Sequence, residues 1–416
     1  MIYTDLSDEW WEVDFSHQIE RVLFKLNQQE MLTYMHSLPP EKQQKMRKQL
    51  ESLDLSVFDY QEQRAIPSCI SPSFAMHRPI IEENKERLTE LGLEALRKRK
   101  VAAVMLAGGQ GSRLDFDHPK GTYNVGITRE LYIFECQIKN LLKVCEQAQR
   151  WVPLFIMTSV DNYDETVQFF KDWNYFGYSS AAVYFFKQEQ LPVLDGGGKL
   201  MLKDEDTILT APNGNGGWFS SLVKSGLQTV IKELGIEWVN VFAVDNVLQK
   251  IADPVFIGAV LEKHWASGAK VVKKLSPEEP VGTLCVEDGF RPTIVEYYEL
   301  PERMRYAKNP NGEYIYDTGV ILNYLFRVDH LENSLGVALP LHRANKKVTY
   351  QTFDGEKRED YAFKFETLAL DLIRLQPDCL PVEVLREEEF APIKNKTGEN
   401  SVETARKLLE LNGTTL

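Results

Sequence analysis

Residues 101–121 read VAAVMLAGGQGSRLDFDHPKG, an apolar run followed by a glycine-rich turn and two cations. The run from Val101 to Leu106 carries no charge, which predicts a strand buried on both faces, as in a parallel sheet. Glycine allows positive φ and has no Cβ, so the backbone amides of the turn can approach an anion closely. Arg113 and Lys120 follow at short range. The segment therefore favours a bound polyphosphate.

Two common phosphate-binding motifs do not fit this turn. A Walker A loop ends in Gly-Lys-Ser/Thr, whereas Ser112 and Arg113 follow Gly111 here. A dinucleotide fingerprint needs a third glycine, and Leu114 occupies that position. The remaining alternative is a turn that uses glycine only for its backbone, and the two cations that follow disfavour it.

The turn resembles the L-x-G-G-x-G-T-x-L signature of nucleotide-sugar pyrophosphorylases, in the variant G-G-x-G-[ST]-R-L followed by Pro-Lys-Gly. This variant is similar to the uridylyltransferase branch, nearest to the UDP-N-acetylglucosamine pyrophosphorylases and their bacterial relatives. Later segments also match, so the resemblance extends from about residue 20 to the C-terminus. The resemblance implies that four residues of the turn contact the nucleotide: Leu106, Ala107, Gly108 and Gly109.

Composition restricts the class of protein. A chain of 416 residues, 43% of them hydrophobic, has room for two or three globular domains. The net charge of −13 argues against a nucleic-acid-binding protein, and no apolar run is long enough to span a membrane. Five scattered cysteines without a C-x-x-C pattern indicate reduced thiols, and the acidic N-terminus lacks the pattern of a signal peptide. We expect a cytoplasmic monomer.

Strands and helices alternate from residue 101 to about residue 325. This order predicts an α/β fold with a doubly wound, mostly parallel sheet, in which ligands lie beyond the carboxyl ends of the strands. The resemblance implies a Rossmann-like nucleotidyltransferase of the glycosyltransferase-A type. We expect an N-terminal helical region (1–99), a catalytic domain with a sugar-binding insertion (100–345) and a small C-terminal domain (346–416).

The individual elements are predicted from hydrophobic periodicity. Buried strands are predicted at 101–106, 151–158, 181–186 and 239–244. Helices are predicted at 129–149 and 161–173, the second with Asp161 as its N-cap. Antiparallel strands that cover a second ligand are predicted at 281–285, 293–297 and 314–322.

Two segments carry the residues expected at the nucleobase. Residues 211–217 read APNGNGG, a composition typical of turns, and resemble the family's P-[DN]-G-N-G-G. The resemblance implies that Gly214 and Asn215 hold uracil, and an asparagine presents a donor and an acceptor together, as uracil does. A glutamine before Leu-Pro also contacts uracil in the family. Gln188 aligns with it, and Gln190 is a close alternative.

Asp245 follows the apolar strand predicted at 239–244. A buried carboxylate without a partner is costly, so we expect Asp245 to face the ligand cleft beside a cation. The resemblance implies that this aspartate binds Mg²⁺ that bridges phosphates, and Mg²⁺ often takes only one or two protein carboxylates. A second protein ligand is left open. The alternative role is a cap of the helix that follows.

The expected sugar site departs from the family pattern. Residues 296–299 read EYYE and resemble the family's Glu-Tyr-Ser-Glu, which implies that Glu296 and Tyr297 line the sugar. Asp317 and Val320 stand where the family has asparagines, one of which meets the N-acetyl group in the eukaryotic enzymes. Because lost polar contacts can change discrimination by powers of ten, the sequence leaves the sugar open.

Residues 388–395, EEFAPIKN, strongly resemble E-E-F-[SA]-P-[LI]-K-N, whose lysine reaches the phosphate of the bound sugar. The whole resemblance implies a uridylyltransferase that converts UTP and a sugar 1-phosphate into a UDP-sugar and pyrophosphate. It implies that Arg113 contacts the leaving pyrophosphate, Lys120 the α-phosphate and Lys394 the sugar phosphate. Such in-line attack needs no general base, because the acceptor phosphate is already ionised.

Two alternative functions are weaker. A non-catalytic sensor of UTP or UDP-sugar would not need Asp245 or Lys394, and both are present. An NAD-dependent oxidoreductase would need the third glycine that the turn lacks.

Overall fold

A computed structural model describes residues 17–61 and 70–416 of the chain. The helices among these residues are α1 (Gln18–Lys25), α2 (Gln29–Ser37), α3 (Pro40–Ser52), α4 (Arg78–Glu83), α5 (Lys85–Arg97), α6 (Ile133–Ala148), α7 (Tyr163–Asp172), α8 (Trp218–Lys224), α9 (Gln228–Leu234), α10 (Pro254–Lys263), α11 (Glu302–Arg305), α12 (Val328–Ser334), α13 (Asp371–Arg374), α14 (Arg386–Glu389) and α15 (Val402–Leu411). The strands are β1 (Ile70–Pro72), β2 (Val101–Leu106), β3 (Gln110–Gly111), β4 (Phe116–Pro119), β5 (Leu154–Thr158), β6 (Val183–Lys187), β7 (Gln190–Pro192), β8 (Leu202–Asp204), β9 (Thr207–Ile208), β10 (Thr210–Pro212), β11 (Trp238–Ala243), β12 (Ser267–Lys273), β13 (Thr283–Glu287), β14 (Arg291–Val295), β15 (Thr318–Arg327), β16 (His342–Gln351), β17 (Lys357–Glu366) and β18 (Leu380–Glu383).

The chain divides into two compact units, each assembled from separate segments. The first contains the described residues of Met1–Glu62 together with Gln190–Asn213 and Leu341–Glu366. The second contains the described residues of Gln63–Glu189 together with Gly214–Pro340 and Thr367–Leu416. The consecutive regions expected from the sequence follow a different division, and their boundaries stay a prediction.

The second unit is built on a seven-stranded sheet in the order β18-β12-β15-β11-β2-β5-β6. Within this described sheet, β15 runs antiparallel to β11 and β12, and the other neighbouring strands pair in parallel. The predicted α/β fold with a mostly parallel sheet is confirmed. Of the strands predicted to cover a second ligand, β15 instead joins this central sheet, whereas β13 and β14 form a separate antiparallel sheet together with β1.

Strand β2 is buried on both faces, as its apolar run predicts. All six of its side chains are buried. Alternate residues enter the hydrophobic clusters on the two sides of the sheet, with Val101, Ala103 and Met105 in one cluster and Ala102, Val104 and Leu106 in the other. Successive side chains of a strand point to opposite faces of the sheet. A sheet that is covered by helices on both faces therefore requires an uninterrupted apolar run in its central strands.

The order of the strands reverses between β2 and β11. From β2 the chain continues to β5 and β6 on one side, and it returns to form β11 on the other side. At such a reversal a crevice opens beyond the carboxyl ends of the two strands, where open α/β sheets bind their ligands. The two loops meet at this point, since the Val244 N–H donates to the Leu106 carbonyl at 3.2 Å.

Two element starts differ from the sequence prediction. Helix α7 begins at Tyr163 with Asn162 at its N-cap, so the prediction of Asp161 as the cap is wrong. Helix α6 begins at Ile133 instead of residue 129, because the preceding residues pair with a neighbouring segment: the Val125 N–H donates to the Leu131 carbonyl at 2.7 Å.

The first unit combines α1, α2 and α3 with a four-stranded antiparallel sheet in the order β17-β16-β8-β9 and with the β7–β10 pair. Its core contains Leu23, Met35 and Leu50 from the helices and Leu202 and Ile208 from the strands. Within the described residues of both units, no helix combines the length and the apolar content needed to cross a bilayer.

Candidate functional site

In the turn after β2, Gly108 is in close contact with another side chain, whereas one side of Gly109 is free of protein atoms. A Cβ on Gly108 would lie 2.6 Å from the buried Gln188 Oε1, so the close approach of this side chain requires glycine. A Cβ on Gly109 would have no heavy atom within 4 Å. The Gly109 carbonyl accepts a hydrogen bond from the Lys120 N–H at 3.2 Å, which fixes the start of the Lys120 segment. The open side of Gly109 leaves room for a ligand against the backbone.

The Asn162 side chain holds the backbone of this turn by hydrogen bonds. Its Nδ2 donates to the carbonyls of Ala107 and Gly108, both at 3.3 Å, and its Oδ1 accepts from the Ser159 N–H at 2.8 Å. The side chain is fully buried. Sequence reasoning missed this residue. The available signal was an asparagine just after a buried strand, where we expected the neighbouring aspartate to act as a cap.

The residues expected at the nucleobase gather beside Gly108. Gln188 follows β6, its N–H donates to the Thr158 carbonyl at 2.7 Å, and its Nε2 donates to the Gly214 carbonyl. Gly214 has a φ of 82°, in the region that favours glycine. The structure therefore brings Gln188, Gly108 and Gly214 together. Asn215, next in the chain, accepts at its Oδ1 from the Ala369 N–H at 2.7 Å.

The alternative glutamine lies in the other unit. Gln190 belongs to β7, and its Oε1 accepts from the Thr210 hydroxyl at 2.6 Å across the β7–β10 pair. Gln188 belongs to the same unit as the glycine turn.

Lys120 and Asp245 form an ion pair at the reversal of strand order. The Lys120 Nζ lies 3.3 Å from the Asp245 Oδ2, and the two side chains are 15% and 20% exposed. The expected cation partner of Asp245 is therefore present. The alternative role of Asp245 as a helix cap is wrong, because the next helix begins at Pro254 and is capped by Asp253, whose Oδ1 accepts from the Val255 N–H at 3.1 Å.

The EEFAPIKN segment runs along the loop that carries Asp245. The Ile393 N–H donates to the Asp245 carbonyl at 2.9 Å, and Asn246 pairs with Pro392 as a β-bridge. Lys394 is the next residue, and its side chain is exposed. Among residues 17–61 and 70–416, its ammonium has no hydrogen-bond or ion-pair partner. The Asp245 carboxylate and the Lys394 side chain thus start from adjacent backbone.

Arg113 lies in a one-turn 3-10 helix, Ser112–Leu114, at the tip of the β3–β4 hairpin. Its side chain is exposed, and no hydrogen-bond or ion-pair partner for its guanidinium occurs in the described part of the chain. The base of this hairpin is the pairing of Gln110 with Pro119, next to Lys120. An exposed, unpaired cation on a short hairpin is available to an anionic ligand.

The residues expected at the sugar follow β14. The Glu296 N–H donates to the Glu299 Oε2 at 3.0 Å, and Tyr297 is exposed with its ring edge-on to Tyr298. Burial, with the nearby Glu299 and Glu296 carboxylates, raises the pKa of Tyr298 to about 12, so this phenol stays protonated at neutral pH. Lys120 contacts Asp245, and Asp245 contacts Ile393 beside Lys394. Tyr297 takes part in neither of these contacts.

The two departures from the family pattern lie at the start of β15. The Asp317 Oδ2 is 3.7 Å from the Lys273 Nζ, and the Asp317 carbonyl accepts from the Lys274 N–H at 2.6 Å. The Val320 N–H donates to the Gly282 carbonyl at 2.9 Å, which joins β15 to the β13 segment.

Comparison with known proteins connects this geometry to a family. Residues 68–408 match the family model described as UTP–glucose-1-phosphate uridylyltransferase. The human UDP-N-acetylhexosamine pyrophosphorylase-like protein 1 is 33% identical and aligns with 93% of this chain and 82% of its own length. UDP-N-acetylglucosamine diphosphorylase 2 of Arabidopsis thaliana is also 33% identical, with 92% and 81% covered.

A solved structure agrees with these matches. The crystal structure of the uridine diphosphate N-acetylglucosamine pyrophosphorylase from Trypanosoma brucei, in complex with an inhibitor, superposes with a TM-score of 0.78 at 27% identity. The superposition covers 94% of this chain and 83% of that chain. The resemblance found in the sequence motifs is confirmed.

Proposed function

This chain belongs to the UTP–glucose-1-phosphate uridylyltransferase family and is a uridylyltransferase that forms a UDP-sugar, and from that premise we propose which residues perform the reaction and which sugars it takes. The observation that carries the assignment of residues is the Lys120–Asp245 ion pair beside the Lys394 segment, at the crevice where the strand order reverses. Two cations and a carboxylate at such a crevice suit a substrate with several phosphates.

The reaction is an in-line displacement at the α-phosphorus of UTP. An oxygen of the sugar phosphate forms a bond to this phosphorus, the bond to the β-phosphate oxygen breaks, and pyrophosphate leaves. The second pKa of a phosphate monoester is about 6, so the attacking oxygen carries its negative charge at neutral pH. The protein therefore contributes position and charge neutralisation instead of a general base.

Three cations have separate roles in this proposal. Lys120 contacts the α-phosphate, Arg113 contacts the leaving pyrophosphate, and Lys394 contacts the phosphate of the sugar. The position of Lys120 at the edge of the glycine turn and the unpaired state of the Arg113 and Lys394 side chains within the described residues support these roles.

The nucleotide and the sugar take different parts of the second unit. The backbone of the turn, with Leu106, Ala107, Gly108 and Gly109, wraps the phosphates, and Gln188, Gly214 and Asn215 hold uracil. The contact between Gln188 and Gly214 supports this grouping. Glu296 and Tyr297 line the sugar. Because the relatives are named for UDP-N-acetylglucosamine and UDP-N-acetylhexosamine, N-acetylhexosamine 1-phosphates are the first candidates and hexose 1-phosphates the second.

Asp245 is the proposed protein ligand of Mg²⁺. Within residues 17–61 and 70–416 no three His, Cys, Asp or Glu side chains are grouped to hold a metal by themselves. One partly exposed carboxylate together with substrate phosphates fits Mg²⁺, which is commonly held in this way. When bound, the ion would neutralise charge on the phosphates.

The test is pyrophosphate release from UTP, Mg²⁺ and a panel of N-acetylhexosamine and hexose 1-phosphates. We expect turnover with at least one member of the panel and loss of turnover in Asp245→Asn. A protein that binds UTP and releases no pyrophosphate with any member would contradict the proposal and would favour a sensor.

The monomeric state and the cytoplasmic location of the protein stay predictions.

A further inference from the structure

Lys270 is a fully buried lysine in the central sheet of the second unit. Its ammonium donates to the Glu389 Oε2 at 2.6 Å, to the Asp253 Oδ2 at 2.9 Å and to the Lys250 carbonyl at 3.1 Å. An ammonium has three donors, so all of its hydrogen-bonding capacity is used. Burial raises the pKa of Glu389. Burial acts in the same direction at Asp253, but the Lys270 and Lys250 ammonium groups and the hydrogen bonds from Lys270 and the Val255 N–H together lower the pKa of Asp253.

These contacts join three separate parts of the fold. Lys270 comes from β12, Glu389 ends α14, and Lys250 and Asp253 both lie in the segment between β11 and α10, where Asp253 caps α10. Buried ion pairs contribute little net stability, because desolvation offsets the attraction between the charges. An arrangement that fixes three segments in one geometry therefore suggests a role in positioning.

Asn246 fixes the same segment by a second contact. Its Nδ2 donates to the Glu389 carbonyl at 2.7 Å, and its Oδ1 accepts from the Ala391 N–H at 2.8 Å. The asparagine side chain thus pairs with the backbone on both sides of Phe390. It is buried and directly follows Asp245.

The loop that carries Asn246 is itself held by a buried amide. Gln137, on α6, donates from its Nε2 to the carbonyls of Val244 and Asn246, both at 2.8 Å. The Gln137 side chain therefore fixes the backbone on either side of Asp245. Because the Ile393 N–H donates to the Asp245 carbonyl, Lys394 follows from the same fixed geometry.

We propose that Asn246, Asp253, Lys270 and Glu389, which we call the buried clamp, are positioning residues that hold the Lys394 side chain at a fixed place relative to the Asp245 carboxylate. The clamp contacts neither substrate. It acts through the backbone of residues 389–394, and it makes the two segments move as one body. This inference rests on the proposed roles of Lys394 at the sugar phosphate and of Asp245 at the metal.

The test is a double-mutant cycle between Glu389→Gln and Lys394→Ala. Glu389→Gln keeps the side-chain shape and removes the charge that Lys270 contacts. In the otherwise unchanged protein we expect kcat/KM for the sugar 1-phosphate to fall by about 10²-fold, the cost of a small misplacement. The dissociation constant for UTP, measured by calorimetry, should change by less than about 2-fold. In the Lys394→Ala background the same substitution should lower kcat/KM by less than about 3-fold, because its effect passes through Lys394.

The matched control is Glu388→Gln, the same chemical change one residue earlier. Glu388 pairs with Lys250 at 2.8 Å and is 44% exposed, and we expect activity within about 2-fold of the unchanged protein. If Glu389→Gln does not fold, Asn246→Ser gives the same cycle without altering a buried charge. Independent, multiplicative effects of either clamp variant and Lys394→Ala would overturn the inference. Absence of pyrophosphate release from the unchanged protein would instead contradict the proposed function.

Discussion

Lys120 and Asp245 neutralise each other across the crevice, with 3.3 Å between the ammonium nitrogen and a carboxylate oxygen. Both residues are proposed to contact the substrate complex, one at a phosphate and the other through a metal ion. Their mutual attraction must be exchanged for those new contacts when UTP and Mg²⁺ bind. The pair thus gives each partner a defined orientation in the free protein.

Lys120→Gln should therefore strengthen metal binding and weaken turnover. Without the ammonium, the Asp245 carboxylate loses the ion-pair partner that competes with a metal ion, and we expect Mn²⁺ to bind the free protein up to about 5-fold more tightly, the size of a partly exposed ion pair of about 1 kcal/mol. Electron paramagnetic resonance in the absence of nucleotide measures this directly. Unchanged Mn²⁺ affinity would show that Asp245 is not the metal ligand, and Asp245→Asn serves as the reference without a carboxylate.

Arg113→Ala should reduce kcat by about 10²- to 10³-fold, the effect of removing one preorganised donor to a developing charge. Steady-state pyrophosphate release checks this, with Arg97→Ala as the control. Arg97 is an exposed arginine on α5 that pairs with Glu90, and its loss should leave kcat within about 2-fold. Turnover near that of the unchanged protein would exclude Arg113 from the chemistry.

Gly109→Ala should weaken the binding of UTP without changing the stability of the fold. The added Cβ meets no protein atom within 4 Å, so we expect the free energy of unfolding to stay within about 0.5 kcal/mol. The same methyl group would occupy the space where the phosphates approach the backbone, so we expect UTP to bind at least about 10-fold more weakly. Calorimetry and urea denaturation provide the two measurements.

The control for this variant is Gly196→Ala in the first unit, where a Cβ is also free of contacts. It should change neither quantity. Normal UTP affinity in Gly109→Ala would show that the phosphates do not approach this side of the turn.

Glu287 gives the second unit a defined dependence on pH. Its carboxylate accepts two hydrogen bonds from the Arg374 guanidinium, at 2.8 and 2.9 Å, and this pairing lowers the pKa of Glu287 below its usual value near 4.5. A carboxyl group that binds its proton less tightly in the folded state contributes stability above the unfolded pKa. That contribution is lost as the pH falls from about 4.5 through the folded pKa.

Glu287→Gln should therefore lower the free energy of unfolding by about 1–3 kcal/mol at pH 7 and flatten its dependence on pH below 4.5. Urea denaturation between pH 3 and pH 7 checks both effects. Asp329→Asn is a suitable comparison, because Asp329 forms a similar pair with Arg327 but is 55% exposed and should matter less. A pH profile that is the same with and without Glu287 would contradict this assignment.

The central architecture was predictable because it depends on local patterns. The apolar run of β2 and the alternation of strands with helices are enough to indicate a doubly wound sheet, and the comparisons and the topology confirm it. The glycine turn was also predictable, since the glycines and the cations that indicate its proposed function lie in one short segment of sequence.

The supports of the site were not predictable, because they depend on residues far apart in the chain. Lys270 meets Glu389 119 positions later, and Asn162 reaches back 55 positions to Ala107. Nothing next to these residues distinguishes them from an ordinary strand lysine or helix cap. The contacts of Gln188 and Gln190 had the same difficulty, since they depend on which unit each residue joins and not on its neighbours in the chain.

The backbone contact between Ile393 and Asp245 also sets an order of events in biosynthesis. A ribosome makes the glycine turn first, the strand before Asp245 well over a hundred residues later, and the EEFAPIKN segment last of the three. A nascent chain that has only just released β11 contains the glycine turn but lacks Lys394 and the backbone partner of Asp245. The proposed site can therefore be complete only after residues 389–394 have been synthesised and have docked beside Asp245.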